Sequence, residues 1–391
     1  MLDGVMTSKT FCILPWIHTY VNPDGSVLPC CIGDYAQHLG NVQQSKVIEI
    51  WNSEKYQNMR QKMLSGERCT ECVACYNNED AGVKSFRQHV NEEYAEFIPT
   101  ATDTTPPMNL KYLDVRWSNI CNFKCRTCSS TYSSSWATED NKHGSDKPVF
   151  IFAGGNSNDD LYEQFEPYLD TVKEIYFAGG EPLLTDKHYA ILDKLITTGN
   201  TDIKLRYSTN LSSLTYKQKN ITDYWNKFSR VIVYVSLDSW GDRAEYIREG
   251  TDWPVIEQNI RTIRNLSPHV YLGVSSVVSA FNVATLPEFL YYLHDEKLFN
   301  QDSDLSLYTL NNPDYYSFDV LNDELKSKIL IKLRASHFTD SIDKKVSDVV
   351  ARLVASQYNE GLRQTFLLKT HYYDQIRNRD FVKTFPELEN L

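Results

Sequence analysis

Long apolar runs and an excess of basic residues are both missing from this 391-residue sequence. No stretch of 18 apolar residues occurs, which excludes a typical membrane-spanning helix. Lys and Arg number 40 against 51 Asp and Glu, so the chain, with a net charge of −11, lacks the overall attraction of a nucleic-acid-binding protein. Residues 1–10 lack a basic and then apolar signal-peptide pattern. We therefore expect a cytoplasmic protein with neither a membrane nor a nucleic-acid partner.

Cysteine is absent from residue 129 onward. All nine cysteines fall in the first 128 residues, in three groups: Cys12, Cys30 and Cys31; Cys69, Cys72 and Cys75; Cys121, Cys125 and Cys128. The number is odd, and a cytoplasmic enzyme of this size needs no disulfide framework. Clustered thiolates in a reducing compartment indicate metal ligands.

The composition divides the chain into three regions. Residues 1–98 are rich in cysteine, residues 108–315 alternate strand and helix patterns, and residues 316–391 have helical spacing; the aperiodic, Pro- and Thr-rich residues 99–107 read as a linker. The strand candidates are residues 111–117, 174–177, 203–207, 231–237, 270–278 and 305–310, and the clearest helix candidates are residues 186–197, 216–228, 255–266 and 286–293. Six such units predict an α/β fold with parallel strands, a partial (β/α)6 barrel, followed by a helical C-terminal extension. Chemistry in such folds lies at the C-terminal ends of the strands.

The loop after the first predicted strand has the spacing C-x3-C-x2-C. Cys121, Cys125 and Cys128 can hold three irons of a cubane cluster and leave the fourth iron open. The alternative is a zinc loop, although zinc usually takes four closed protein ligands in paired C-x2-C knuckles.

A second motif follows the second predicted strand, at Gly179, Gly180, Glu181 and Pro182. Two glycines permit a close approach of the backbone, and a carboxylate at a strand end can accept a hydrogen bond from an ammonium group. A similar Ala-Gly-Gly at residues 153–155 is not followed by an acid and a proline, and we interpret it as a turn.

The cysteine loop and this Gly-Gly-Glu-Pro motif together resemble the radical S-adenosylmethionine (SAM) superfamily. The resemblance implies a [4Fe-4S] cluster whose open iron binds the amino and carboxylate groups of SAM. Reduction of the cluster then cleaves SAM to methionine and a 5′-deoxyadenosyl radical, which abstracts hydrogen from a substrate. The chain departs from the family pattern at Thr127, where an aromatic residue is usual near the adenine.

The resemblance also assigns cofactor contacts beyond the cluster. The Gly179–Pro182 motif would contact the methionine amino group, Ser208 and Asn210 the ribose, and Ser236 and Arg248 the carboxylate and sulfonium side. An arginine suits a carboxylate because its planar fork can bond both oxygens. Phe123 and Asp238 complete the predicted contacts, while for Asn282 an adenine or ribose contact and a plain turn role remain equally open.

The N-terminal region has its own pattern. A Pro-Asp-Gly turn at residues 23–25 predicts a hairpin with Cys12 and Cys30 at its bases, a helix is predicted over residues 47–51, and a C-x2-C pair follows at Cys72 and Cys75. This resembles the SPASM and Twitch modules that bind an auxiliary cluster, here placed before the barrel.

The resemblance implies one auxiliary [4Fe-4S] cluster, for which we select Cys12, Cys30, Cys72 and Cys75. Cys31 and Cys69 are then spare, although either could replace a chosen ligand. The alternative is a zinc ribbon, since these spacings also suit tetrahedral zinc. His18 is interpreted as structural, and Glu79 with Arg87 as a solvated surface pair.

The resemblance implies a radical SAM enzyme that modifies a peptide or protein, with the auxiliary cluster handling an electron and a flavodoxin or ferredoxin as electron donor. The substrate class follows by analogy alone. Two alternatives stay open: dehydrogenation of a small hydroxylated metabolite, and, from a different class, a zinc-stabilised binding protein.

Overall fold

The computed structural model describes residues 8–144, 151–152, 160–299 and 302–391. The chain divides into two compact units. The first comprises Met1–Ile120, Ile151–Arg206 and Lys227–Ser229, and the second comprises Cys121–Phe150, Tyr207–Asn226 and Arg230–Leu391. The turn predicted at residues 153–155 lies outside the described residues. The domain boundaries predicted at residues 98, 108 and 315 stay predictions.

The strands are numbered in chain order. They are β1 (Tyr20–Val21), β2 (Ser26–Leu28), β3 (Gly40–Asn41), β4 (Tyr112–Val115), β5 (Lys124–Cys125), β6 (Glu174–Phe177), β7 (Lys204–Thr209), β8 (Thr215–Tyr216), β9 (Lys219–Asn220), β10 (Arg230–Ser236), β11 (Arg248–Glu249), β12 (Val270–Val278) and β13 (Leu305–Thr309).

The α-helices are numbered in the same way. They are α1 (Leu14–Ile17), α2 (Val47–Trp51), α3 (Glu54–Leu64), α4 (Val73–Asp80), α5 (Phe86–Glu93), α6 (Ser134–Lys142), α7 (Leu161–Phe165), α8 (Asp186–Thr197), α9 (Ile221–Trp225), α10 (Gly241–Ile247), α11 (Trp253–Arg264), α12 (Leu286–Asp295), α13 (Asp323–Ala335), α14 (Asp340–Ala355), α15 (Glu360–Arg377) and α16 (Phe381–Thr384).

The first unit contains a sheet whose strands run in the order β6-β4-β1-β2-β3. Strand β4 pairs in parallel with β6, and β1 and β2 form the predicted hairpin around Gly25, which has a φ of +86°. The predicted place of Cys12 at the base of the hairpin is wrong, because helix α1 lies between Cys12 and β1. The hairpin also joins the parallel strands, because β1 pairs in parallel with β4, with Tyr20 opposite Asp114. The cysteine-rich region therefore continues the sheet of the first unit, an arrangement that the sequence did not indicate.

Residues 101–107 have no helix or strand, but side chains of the N-terminal region bind their backbone. The indole N–H of Trp16 donates to the carbonyl of Asp103 at 2.7 Å, and that of Trp51 donates to the carbonyl of Pro106 at 2.9 Å. The segment read as a linker is thus held within the first unit.

The second unit contains three parallel strands in the order β10-β12-β13. Val231, Val233 and Val235 of β10 are fully buried and alternate with more exposed residues, as expected for a strand with one face in the core. Each such burial contributes about 1.5–3 kcal/mol of hydrophobic free energy. All six predicted strands form, and the α/β class with largely parallel strands is confirmed.

The helices follow the predicted pattern with one clear exception. Helix α8 has the predicted bounds, and α11 begins where the Asp252 side chain accepts a hydrogen bond from the Val255 N–H. The helix predicted over residues 216–228 is wrong in its first half. Strands β8 and β9 form a small hairpin there with Lys217 at a φ of +54°, and Asn220 caps the shorter helix α9.

The C-terminal region is helical, as predicted. In α14 the buried residues Ile342, Val346, Val349 and Leu353 recur at helical spacing, whereas Val354 is exposed.

Candidate functional site

The three-cysteine loop lies at the start of the second unit. The Cys121 N–H donates to the Ser134 hydroxyl at 3.1 Å, and the Cys128 N–H donates to the Cys125 carbonyl at 3.0 Å. Burial raises the pKa of the Cys125 thiol, although the charge of Arg248 opposes it, and burial raises the pKa of Cys128 to about 12. Burial thus favours the neutral form of these two thiols, and a metal that binds them as thiolates displaces their protons.

Phe123 anchors this loop in the core. Its side chain is 1% exposed, and the Ser133 hydroxyl donates to its carbonyl at 2.6 Å. A Cβ added at Gly250, which has a φ of +113°, would lie 2.7 Å from the Phe123 ring. Phe123, which was predicted to contact the cofactor, is therefore closely packed within the protein.

Arg248 reaches the cysteine loop from strand β11, which pairs with β5 so that Arg248 lies opposite Cys125. A guanidinium nitrogen lies 3.7 Å from the Cys125 sulfur, and its Nε donates to the Ser236 carbonyl at 3.0 Å. The Asp238 carboxylate lies 3.6 Å away. Burial would lower the pKa of Arg248, but Asp238 and the neighbouring cysteines raise it overall, so the side chain stays cationic.

Asp238 and Asn282 hold one another in place behind Arg248. One carboxylate oxygen of Asp238 accepts from the Val277 N–H at 2.8 Å, and the Asn282 amide donates to the Asp238 carbonyl at 2.7 Å. The side-chain oxygen of Asn282 accepts a hydrogen bond from the Ser279 N–H at 2.7 Å. Asn282 is buried, so these contacts favour the turn role that the sequence left open.

Asn210 also contacts the cysteine loop. Its amide donates to Asn122 at 2.9 Å, and its oxygen accepts from the Ser212 N–H at 2.9 Å. Asn122 in turn donates to the Ser212 hydroxyl at 2.9 Å. Sequence reasoning missed Asn122, because a residue between two cysteines carries no signal of its own. Ser208 lies half-buried near the end of β7.

The Gly-Gly-Glu-Pro motif lies in the first unit, directly after β6. A Cβ at Gly180 would lie 2.2 Å from the Ile120 carbonyl oxygen, and Gly179 has a φ of +106°. The Glu181 N–H donates to that same Ile120 carbonyl at 2.7 Å. The glycines are thus required by a close approach to residues 118–120.

Glu181 is 2% exposed, and its carboxylate accepts a hydrogen bond from the Leu183 N–H at 3.1 Å. Pro182 is buried in the turn that follows.

A separate cavity in the first unit contains cysteines of the N-terminal region. Its lining includes Cys12, Cys30, Cys72 and Cys75, and the space between these residues, counted together with the part that opens to solvent, is about 370 Å³. These are the four residues selected from the sequence as auxiliary ligands, so the fold brings them together around one space. In the described parts of the chain, no three His, Cys, Asp or Glu side chains converge as a single metal ion would require.

The two remaining N-terminal cysteines do not line this cavity. The Cys69 thiol donates to the Met59 carbonyl at 3.5 Å and is 2% exposed. Burial raises the pKa of the Cys31 thiol to about 11, with further effects from the charges of Asp114 and Arg116. Cys30 and Cys31, although adjacent, therefore have different surroundings.

Arg87 lies in the wall of the same cavity. Glu79 and Arg87 pair as predicted, but the predicted solvated surface position is wrong, because the Arg87 side chain is 4% exposed. Its guanidinium donates to Glu79 at 2.9 and 2.6 Å and to the Phe11 carbonyl at 2.6 Å. The Ser85 hydroxyl also donates to Glu79. A buried ion pair thus supports the backbone next to Cys12.

His18 is fully buried, as the structural interpretation expects. It contacts the Tyr112 carbonyl at 3.1 Å and stacks on the Tyr112 ring at 4.5 Å.

Comparison with known protein families assigns the two regions that carry the cysteines. Residues 115–278 match the model of the radical SAM superfamily. Residues 12–76 match SPASM, an iron–sulfur cluster-binding domain. The chain thus carries a SPASM domain followed in sequence by a radical SAM domain. A radical SAM domain implies a [4Fe-4S] cluster and SAM, and a SPASM domain implies auxiliary iron–sulfur binding.

Among solved structures, the chain is similar to native anSMEcpe with bound AdoMet, at 16% identity and a TM-score of 0.40 over 57% of this chain and 59% of that one. It is also similar to Streptococcus suis SuiB bound to S-adenosylmethionine, at 11% identity and a TM-score of 0.38 over 78% and 65%. The chain therefore spans less than two thirds of either structure.

No curated protein matches the chain significantly. Within the described ranges, no helix combines the length and apolarity needed to cross a membrane.

Proposed function

We propose that this protein cleaves SAM reductively and uses the product to abstract hydrogen from a peptide or protein substrate, with an auxiliary cluster that transfers an electron. The observation that carries the proposal is the placement of the cysteines. Three lie on one loop of the radical SAM domain, and four others line a single cavity in the SPASM domain. Both sites are built from soft thiolate donors, which suit iron–sulfur clusters.

In the radical SAM domain, Cys121, Cys125 and Cys128 are the proposed ligands of the catalytic cluster. When bound, the cluster supplies the electron that cleaves SAM and so generates the hydrogen-abstracting radical. The protein's part is to hold the loop and to place positive charge beside it. Arg248 places this positive charge, since its guanidinium lies 3.7 Å from the Cys125 sulfur.

The remaining predicted contacts are proposed to bind SAM itself. Glu181 would accept a hydrogen bond from the amino group of SAM. The two glycines before it allow the backbone of this turn to lie close to residues 118–120. Asn210 lies beside the loop through Asn122 and would bind the ribose with Ser208. Ser236 would lie on the carboxylate and sulfonium side, where Arg248 already contacts its carbonyl.

In the SPASM domain, Cys12, Cys30, Cys72 and Cys75 are the proposed ligands of one auxiliary cluster. Burial is the largest influence on the pKa of each thiol and raises it, so burial favours the neutral form of these thiols. Loading iron replaces four protons with a cluster, which makes the site dependent on metal. We propose a flavodoxin or ferredoxin in the cytoplasm as the source of electrons.

Anaerobic reconstitution tests the two sites together. We expect about eight irons and matching sulfide per chain, the count for two cubane clusters. With dithionite and SAM the protein should release 5′-deoxyadenosine, and the Cys125→Ala variant should not. Zinc without sulfide, or 5′-deoxyadenosine from the variant, would overturn the proposal.

Isotope transfer tests the substrate class. Deuterated peptides and deuterated sugars are incubated with the reconstituted enzyme, and deuterium in 5′-deoxyadenosine is measured by mass spectrometry. Transfer from a peptide is expected. Transfer from a hydroxylated small molecule alone would reassign the protein to alcohol dehydrogenation.

A further inference from the structure

The C-terminal helix α15 contacts the three-cysteine loop through two sets of buried charges. Both sets lie within the second unit and join residues more than 230 positions apart in the chain. Thr370, Tyr373, Asp374 and Arg377 share one face of α15, because residues three, four and seven apart are neighbours on a helix. This face is the part of the helix that reaches the loop.

The first set surrounds Arg126, which follows Cys125 directly. The Arg126 side chain is fully buried, and one guanidinium nitrogen donates to Asp374 at 2.5 Å. The guanidinium also lies 3.9 Å above the Tyr246 ring, and the Tyr246 hydroxyl donates to the same Asp374 oxygen at 2.6 Å. The second Asp374 oxygen accepts from the Phe381 N–H at 2.7 Å. One carboxylate thus holds the side chain next to a cluster ligand.

The second set lies on the other side of Cys125. Arg377 donates to the Lys124 carbonyl at 3.0 Å and to Glu139 at 3.0 and 2.6 Å, while Lys124 donates to Glu139 at 2.5 Å. The Arg377 guanidinium lies 4.6 Å from the Trp136 ring, and the Trp136 indole N–H donates to the Cys125 carbonyl at 2.7 Å. The helix therefore contacts the Lys124 carbonyl and the Arg126 side chain directly, and it reaches the Cys125 carbonyl through the Trp136 ring.

We propose that Asp374 and Arg377 are positioning residues for the catalytic cluster loop, which set the place and orientation of Cys125 from the C-terminal helix. A buried guanidinium without its counter-charge is strongly unfavourable, so we expect a neutral residue in place of Asp374 to displace Arg126. The helix would thereby set the orientation of Cys125 as an iron ligand, without itself contacting iron or SAM. The inference rests on the proposed function, since it takes Cys125 as a cluster ligand.

The test compares Asp374→Asn with Glu360→Gln, which makes the same acid-to-amide change on the same helix. Glu360 is half exposed, pairs with Arg363 and takes no part in the loop contacts, so its variant should match the wild type. The first readout needs no cluster: hydrogen exchange of the amides of residues 122–128 in cluster-free protein. We expect that exchange to be about tenfold faster in Asp374→Asn, with the amides of β10 and β12 unchanged.

The second readout uses reconstituted protein. We expect Asp374→Asn to keep its iron content, to shift the midpoint potential and the EPR spectrum of the SAM-bound cluster, and to form 5′-deoxyadenosine about 10- to 100-fold more slowly, the loss typical of a small misplacement. Tyr246→Phe removes one donor to Asp374 and should change each quantity in the same direction by less. It replaces Asp374→Asn as the deciding variant if the latter does not fold.

The inference is overturned if the deciding variant stays within twofold of the wild type in the rates of loop exchange and 5′-deoxyadenosine formation and leaves the midpoint potential unchanged. A failure of the proposed function is separate. Wild-type protein that forms no cluster would remove that function, while the exchange experiment on cluster-free protein would still report on the loop.

Discussion

The guanidinium of Arg248 lies 3.7 Å from the sulfur of Cys125 and 3.6 Å from the carboxylate of Asp238. A single cation is therefore shared between a proposed cluster ligand and a buried acid. Hydrogen bonds and charges near the sulfur atoms are among the main influences on the reduction potential of an iron–sulfur cluster. We therefore expect Arg248 to influence that potential, in addition to its proposed contact with SAM.

Replacing Arg248 with Gln should lower the midpoint potential of the catalytic cluster, because a positive charge and a donor to the sulfur are both lost. We expect a shift on the order of 50 mV. EPR-monitored redox titration without SAM measures it, so that an effect on SAM binding does not interfere. Arg248→Lys, which keeps the charge, should shift the potential less; equal shifts in the two variants would contradict the electrostatic explanation.

Two adjacent cysteines give a matched test of the auxiliary site. Cys30 lines the cavity with Cys12, Cys72 and Cys75, whereas Cys31 does not. Cys30→Ser should therefore reduce the iron content from about eight to about four per chain, and Cys31→Ser should leave it unchanged. Iron and sulfide analysis after anaerobic reconstitution measures both. If only the Cys31 variant lost iron, Cys31 would be the ligand and Cys30 the spare cysteine.

Gly180 should not tolerate a side chain. A Cβ there would lie 2.2 Å from the Ile120 carbonyl oxygen, which is backbone and cannot turn away. We expect Gly180→Ala to lower the free energy of unfolding by about 1–3 kcal/mol and to abolish 5′-deoxyadenosine formation. The control is Gly361→Ala in helix α15, where the nearest atom is a side-chain oxygen at 3.3 Å. Urea denaturation should show Gly361→Ala to be as stable as the wild type or slightly more so.

The ion pair of Glu79 and Arg87 should make the stability of the protein depend on pH. Burial alone would raise the pKa of Glu79, but hydrogen bonds from Arg87 and Ser85 lower it overall below its ordinary value of 4.5. A carboxyl with a lowered pKa in the folded state stabilises the protein above the unfolded pKa, and this contribution is lost as the pH falls through the folded pKa.

Glu79→Gln should therefore be less stable than the wild type at pH 7, and the difference should shrink as the pH falls below about 4.5. Urea midpoints measured from pH 7 to pH 3 on metal-free protein give the result. A difference that stays constant across this range would mean that the charge of Glu79 contributes nothing.

Local patterns in the sequence were enough to predict the six strands and the N-terminal hairpin, whereas the grouping of Cys12, Cys30, Cys72 and Cys75 also needed the resemblance to SPASM and Twitch modules. Those features depend on alternation, turn residues and ligand spacing, which act over a few residues. The roles of Arg87 and Asp374 could not be predicted in the same way. Each charge has a partner that folding brings close, and a charged residue on a helix is usually solvated, so its position in the sequence does not reveal its burial.

The parallel pairing of β1 with β4 has a consequence for how the protein can be divided. Tyr20 and Val21 cover the backbone of Asp114 and Val115 on the side of β4 opposite β6. Removing the N-terminal region would leave that row of N–H and C=O groups without partners, and an uncovered edge of this kind recruits strands from other chains. We therefore expect the radical SAM region expressed without the N-terminal region to self-associate through β4, because β1 covers that edge in the whole chain.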